Sequence, residues 1–245
     1  MTDHKTHAAV LVAHGDRGGP APNAALRAQA EAVRALIGLP IVAPGVLKGQ
    51  PTLEDALAQA AATGATRIAV YPLFMADGYF MRKVRERVEA TGISPAPSIL
   101  APLGLDAALP EILVREAAST AETREFEPIT SRLLIVGHGS KLGPASATAT
   151  RKAAARAALA RRFASVTTAF LEEEPFLDDA LAAGRQTPTV VAGFFFGDGM
   201  HGGEDVPDAI AETGANAIYT GAIGNSAAVA PLIAAALTAS FAQIP

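Results

Sequence analysis

Cysteine and tryptophan are absent from this 245-residue chain. Without thiols the protein cannot form disulfides, hold an iron–sulfur cluster on thiolates, build a Cys-based zinc site or use a cysteine nucleophile. Charge is sparse at 18% of residues, and the balance of −4 gives no general attraction to nucleic acid. Aromatic residues are few at 5%, yet half the chain is apolar, which excludes a disordered polymer. Long hydrophobic runs are missing as well. The most apolar late segment, Ala227 to Ala242, is interrupted by Pro231 and is too short and Ala-rich to span a bilayer. The opening MTDHKTHAAV has no apolar core of secretion-signal type. A soluble cytoplasmic protein is expected, without membrane or nucleic-acid partners and long enough for one large domain or two modest ones.

What is present is organised around Leu133 to Pro144, LLIVGHGSKLGP. Four apolar residues read as a buried strand, and the glycines around His138 mark the turn into an Ala- and Arg-rich helix. His138 therefore stands at the carboxyl end of a strand, the edge at which open α/β sheets bind ligands. The phrase occurs earlier as AAVLVAHGDRGGP, placing His14 and His138 124 positions apart.

Strand and helix signals alternate on either side of that repeat. In the first half, strands are expected at Ala8–Ala13, Ile41–Leu47, Arg67–Phe74 and Ser98–Ala101. Helices are expected at Pro22–Ile37, from a Thr52 cap to Gly64, at Met81–Ala90 and at Asp106–Ala118. The polar stretch Thr120 to Thr130 reads as a linker. In the second half, strands are expected at 133–137, 166–171, 189–196 and 217–220, and helices at 144–163, 176–183, 206–213 and 226–239. Pro51 and Pro175, Leu53 and Leu177, Asp55 and Asp179, and Leu57 and Leu181 share the 124-residue offset, and Asp77-Gly78 matches Asp198-Gly199 at 121. Self-similarity of this kind predicts duplication. The expectation is two similar three-layer αβα domains, 1–125 and 126–245, each with a parallel, mostly four-stranded sheet joined by right-handed crossovers.

Three ordered motifs of the second half, HGS at 138–140, FLEEEPFLDDAL at 170–181 and FFFGDGMHGGEDVP at 194–207, resemble the CbiX/SirB class of small tetrapyrrole chelatases in a duplicated, two-domain form. That class, within the class II tetrapyrrole chelatases, inserts Co²⁺ or Fe²⁺ into sirohydrochlorin for cobalamin or sirohaem biosynthesis. The resemblance implies a metal-handling, catalytic set of His138, His201 and Glu172, with Glu174 a second acidic candidate. It also implies a divalent metal as substrate, no organic cofactor, and a tetrapyrrole partner bearing many carboxylates. A monomer suffices in this reading, because the duplication supplies both halves of a cleft. The chemistry suits these residues: neutral imidazoles bind Co²⁺, Ni²⁺ and Fe²⁺ and leave positions open for macrocycle nitrogens. A carboxylate can take up the pyrrole protons that the metal displaces. Glu173, between the two acidic candidates, reads as part of a solvated turn.

The first half departs from this pattern. Lys48 stands where Glu172 has its partner, Gln50 where Glu174 has, and Tyr79 or Phe80 where His201 has; His14 remains. A lysine repels a divalent cation, so this half is expected to serve the substrate instead. Its candidates, with two from the second half, are His14, Arg17, Ser140, Lys141, Arg82 and Arg85, the arginines belonging to the basic run RKVRERV that also holds Lys83 and Arg87. A basic run is otherwise a solvated helix face, and Ser140 otherwise a helix cap. Two other functions compete: a non-catalytic metal or tetrapyrrole carrier using the same ligands, and a histidine phosphatase. The phosphatase motif has an arginine directly before the histidine, a place held here by Ala13 and Gly137.

Overall fold

The structure, a computed structural model, describes residues 7–15, 22–141, 143–197, 199 and 201–242, the side chain of His201 excepted. In chain order the elements are β1 (His7–Ala13), α1 (Ala24–Ile37), β2 (Val42–Val46), α2 (Leu53–Ala62), β3 (Arg67–Pro72), α3 (Tyr79–Ala90), β4 (Ser98–Ile99) and α4 (Leu109–Thr123). The series continues with β5 (Arg132–Gly137), α5 (Ala145–Ala158), β6 (Ser165–Phe170), α6 (Leu177–Ala183), β7 (Thr189–Gly193), α7 (Val206–Thr213), β8 (Ala217–Ala222) and α8 (Val229–Ala242). Two four-stranded sheets result, ordered β2-β1-β3-β4 and β6-β5-β7-β8, with every pairing parallel.

β1 and β5 are second from the edge in their sheets and carry the longest apolar runs, HAAVLVA and RLLIVG, because a parallel strand covered on both faces has no side free for polar residues. Alternate residues serve alternate faces. Val10, Val12, Ile68 and Val70 pack with Leu53, Leu57, Met81 and Val84 of α2 and α3, and in the second sheet Leu134, Val136 and Val191 pack with Leu177, Leu181 and Val206 of α6 and α7. α2 begins on a reciprocal cap: Asp55 N–H donates to Thr52 Oγ1 and Thr52 N–H to the Asp55 carboxylate, both at 3.1 Å.

On the opposite face of each sheet the helix packing crosses the expected boundary at 125/126. α4 packs on α5 and β7, and α8 on α1 and β3. The compact units are consequently 1–103 with 227–245, and 104–226. Each half's last helix thus covers the sheet of the other half. α4 also runs through Thr123, five residues beyond its expected end at Ala118 and into the stretch read as linker. α5 stops at Ala158 instead of reaching Phe163: Leu159, Ala160 and Arg161 close with bonds to residues three back, and Arg161 takes a left-handed φ of 50°. No helix among the described residues is long and apolar enough to cross a membrane.

Candidate metal centre and its duplicate

In the second unit β5 and β6 pair up to Gly137 opposite Phe170, and their ladder continues past the strand ends. Leu171 N–H lies 3.3 Å from the Gly137 carbonyl and 3.2 Å from that of His138, and Glu172 N–H donates to the His138 carbonyl at 2.9 Å. His138 and Glu172 are therefore fixed as neighbours at the carboxyl edge, each half-buried. The His138 Nδ1 lies 3.1 Å from the Gly139 carbonyl. A carbonyl only accepts, so this contact makes Nδ1 the donor and leaves the lone pair on Nε2, the arrangement found in metal-binding histidines.

Glu173 was expected in a solvated turn; the structure instead makes it the brace of this edge. Its carboxylate accepts from Ser140 N–H at 3.1 Å and pairs with Arg151 at 3.5 Å. Arg151 also reaches the Glu174 carbonyl at 3.4 Å, and its guanidinium carbon stands 4.9 Å from the centre of the Phe170 ring. Gly139 permits this closeness. With φ at +75°, a Cβ there would stand 2.9 Å from Glu173 Cγ and 3.2 Å from its backbone nitrogen. Sequence reasoning missed Glu173 and Arg151, and only the run of three glutamates signalled the first. Lys141 is exposed one residue beyond Ser140.

β7 leads on through Phe194, whose N–H donates to the Val136 carbonyl at 2.7 Å, towards a short helical turn His201–Asp205 that runs into α7. His201 opens that turn; its side chain lies outside the described residues. Among the described residues no three His, Asp or Glu side chains are grouped to hold a metal ion.

The first unit has the same frame with different side chains. Leu47 and Lys48 N–H groups donate to the Ala13 and His14 carbonyls at 3.0 and 2.8 Å, and Leu73 N–H to Val12 at 2.8 Å. Each of these bonds has its counterpart among those around His138. The ring of His14 packs against Phe80, centroids 4.5 Å apart, so Phe80 and not Tyr79 meets the histidine. Phe80 is the counterpart of His201 at the 121-residue offset. Gly15 (φ +104°) is still more confined than Gly139, since a Cβ would come within 1.9 Å of the Lys48 carbonyl oxygen.

The basic run is largely occupied. Arg85 binds both oxygens of Asp77, at 3.0 and 2.6 Å, and this pairing holds the Asp77 carboxyl below its ordinary value. Arg87 binds the Glu54 carboxylate and donates to the Leu47 carbonyl at 2.8 Å. Lys83 pairs with Glu86 at 2.7 Å. Arg82 lies over the Tyr79 ring, 5.7 Å from its centroid. Arg17 lies outside the described residues.

Comparison with known proteins gives this frame a context. A structure described as CbiX, the terminal enzyme for biosynthesis of siroheme in denitrifying bacteria, is 31% identical with a TM-score of 0.79, covering 95% of this chain and 99% of that one. SirB from Bacillus subtilis with Fe³⁺ superposes with a TM-score of 0.82 at 20% identity, over 97% of this chain and 96% of that one, a likeness of fold. The curated “Probable sirohydrochlorin cobaltochelatase” of Halobacterium salinarum is 25% identical over 224 residues, 82% of this chain and 75% of that protein. The CbiX family model matches twice, at residues 8–120 and 132–240. The chain belongs to the CbiX family and carries its domain in duplicate.

Proposed function

We propose that this protein is a chelatase that inserts a divalent metal ion into sirohydrochlorin or a related tetrapyrrole, and that its second unit carries the metal site. The observation that carries the reading is the His138–Glu172 pair, fixed by the Glu172 N–H bond to the His138 carbonyl, with Nδ1 of His138 committed to a carbonyl. Family membership and the 31%-identical CbiX structure support the same reaction class.

In this reading His138 presents Nε2 to the incoming ion. His201 joins it, by analogy with Phe80, which reaches His14 in the first unit. Two imidazoles and one carboxylate give a borderline ligand set that suits Co²⁺, Fe²⁺ and Ni²⁺, and without thiolates the ion stays exchangeable. Cobalt is the metal named for the Halobacterium relative, and we take Co²⁺ or Fe²⁺ as the substrate ion. Insertion exchanges one divalent ion for two pyrrole protons and changes no oxidation state, so no organic cofactor is needed. Glu172 accepts one of the two protons as the macrocycle nitrogens replace protein ligands, and the other passes to solvent. Glu173, held by Ser140 and Arg151, keeps the two loops in register. One chain acts alone, in the cytoplasm, with a single metal site.

The test is anaerobic metallation of sirohydrochlorin, followed by absorbance, with Co²⁺, Fe²⁺ and Ni²⁺ in turn and a porphyrin as control substrate. The expected result is insertion well above the uncatalysed rate with at least one ion. Tight metal or tetrapyrrole binding with no acceleration would replace this reading with that of a carrier.

A further inference from the structure

The first unit places its rings where the second has a histidine. Phe80 is 39% exposed and Tyr79 53% exposed, both at the start of α3, in a protein in which aromatics are scarce. Two large rings side by side at the surface form an apolar patch, unlike the singly scattered apolar residues that any soluble protein exposes. They are also held in place. Phe80 stacks on the buried Phe74 (5.7 Å, 15°), meets Tyr79 edge to face (5.4 Å, 73°) and leans on His14 (4.5 Å, 58°). Arg82 and Lys83 carry their cations over the Tyr79 ring at 5.7 and 5.8 Å. Lys83 is paired with Glu86, which leaves the Arg82 guanidinium at the edge of an apolar π surface, an arrangement complementary to a flat conjugated ring with acidic substituents.

We propose that Tyr79 and Phe80 form a platform on which the face of the tetrapyrrole rests, with Arg82 directed at its carboxylates, and that this is what the former metal position of the first unit has become. The proposal rests on the chelatase reading for the identity of its ligand. It also gives His14 a role in the first unit, where its ring supports Phe80. Lys48, hostile to a metal ion, is a further cation suited to a polyanionic ligand. Arg85, committed to Asp77, is not part of the platform.

The test uses metal-free sirohydrochlorin and the full chain, with binding read from quenching of tetrapyrrole fluorescence, so that no metallation is needed. Tyr79→Ala with Phe80→Ala is expected to raise Kd by roughly tenfold or more, the loss of one to two good stacking contacts. Phe80→Leu, which keeps an apolar group on Phe74, should weaken binding several-fold, and Phe80→Tyr should restore it. Affinity for Co²⁺ alone should not change in any of these variants. Unchanged quenching in the double variant and in Phe80→Leu would overturn the platform even if the wild type metallates. Ring-dependent binding by a wild type that does not metallate would uphold the platform and refute the chelatase reading. Sedimentation at several concentrations adds a further outcome. If the wild type self-associates, the double variant does not, and both bind sirohydrochlorin equally, the rings are an interface between copies and the proposal fails.

Discussion

The two units have the same backbone hydrogen bonds at the carboxyl ends of their central strands and opposite chemistry on them. In the second, His138 stands beside Glu172; in the first, His14 stands beside Lys48 and against Phe80. Such a pair shows what a site needs from its frame and what it needs from side chains. The frame comes from main-chain bonds that do not depend on which side chains stand at 48 or 172, so both units keep it. Metal binding needs particular donor atoms, and one Glu-to-Lys difference turns attraction for a cation into repulsion. The same contrast extends to the next shell. Glu173 braces the second unit's edge, and its counterpart in the first is Gly49, which has no side chain to do so.

The largest separation between the units should appear when the histidines are removed one at a time. His138→Ala and His201→Ala are each expected to lower catalysed insertion by at least about 100-fold, exceeding the usual cost of losing a group behind a metal ligand. The circular dichroism spectrum should stay native, because His138 stands just past the end of β5 and His201 opens the short turn before α7, so neither lies within a strand or a main helix. His14→Ala should change insertion by only a few-fold. Equal loss in all three variants, or two equivalent tight sites in a Co²⁺ titration of the wild type, would break the distinction between a metal-binding unit and a substrate-binding one.

The glycines sharpen the comparison through stability. At Gly15 an added Cβ meets a backbone carbonyl at 1.9 Å, which cannot move without breaking the Lys48 N–H bond to His14. At Gly139 the closest atom, at 2.9 Å, belongs to a glutamate side chain that can swing aside. Left-handed φ costs an alanine about 1–2 kcal/mol in both places. Gly139→Ala should therefore cost little more than that, and Gly15→Ala more than about 4 kcal/mol. Urea denaturation of the two variants checks the order, and a larger loss at Gly139 would contradict the frame described here.

Glu173→Ala is expected to reduce Co²⁺ affinity about tenfold while leaving the unfolding midpoint nearly unchanged, the usual size for a group that orients a ligand loop. Placing a glutamate at position 49 of the first unit should not create metal binding, since Lys48 and Phe80 remain. Isothermal titration of both variants reads the result directly.

How far these features were legible in the sequence depends on the range of the interaction. Strand and helix order follows from local periodicity, and the duplication from matched offsets, so both were readable, and the structure has two four-stranded parallel sheets as expected. The exchange of α4 and α8 was not. The apolar face of α8 (Val229, Ile233, Leu237, Phe241) says that the helix must cover something, but nothing local says which of two similar sheets it covers. Glu173 was misread for a related reason: its partners, Ser140 and Arg151, are 33 and 22 residues away and meet it only across the ends of β5 and β6. The pairing of Arg85 with Asp77 was hidden for the same reason, because a basic run displays charge without displaying its acceptor.

The smallest expected effect concerns an ion pair that only the first unit has. Arg87 of α3 grips the Glu54 carboxylate of α2 and the Leu47 carbonyl, tying two helices to the loop after β2. At the matching places the second unit has Asp178 and Asp208, two acids that cannot pair with one another. The hydrogen bond from Arg87 holds the Glu54 carboxyl below its ordinary value of 4.5, so the folded state favours the ionised form. Its contribution is fully present above that ordinary value and is lost as pH falls through the lower folded one. Both side chains are partly exposed, at 29% for Arg87 and 43% for Glu54, so solvent screening limits the contribution to less than about 1 kcal/mol. Glu54→Gln should therefore lower the urea midpoint slightly at pH 7, and the difference should shrink as pH falls through the lowered folded-state value of Glu54. Asp178→Asn, in the second unit, should be neutral or slightly stabilising at pH 7, because it relieves an acid without a matching cation at the position of Arg87. If both variants destabilise equally, the tie between α2 and α3 is not what distinguishes the first unit.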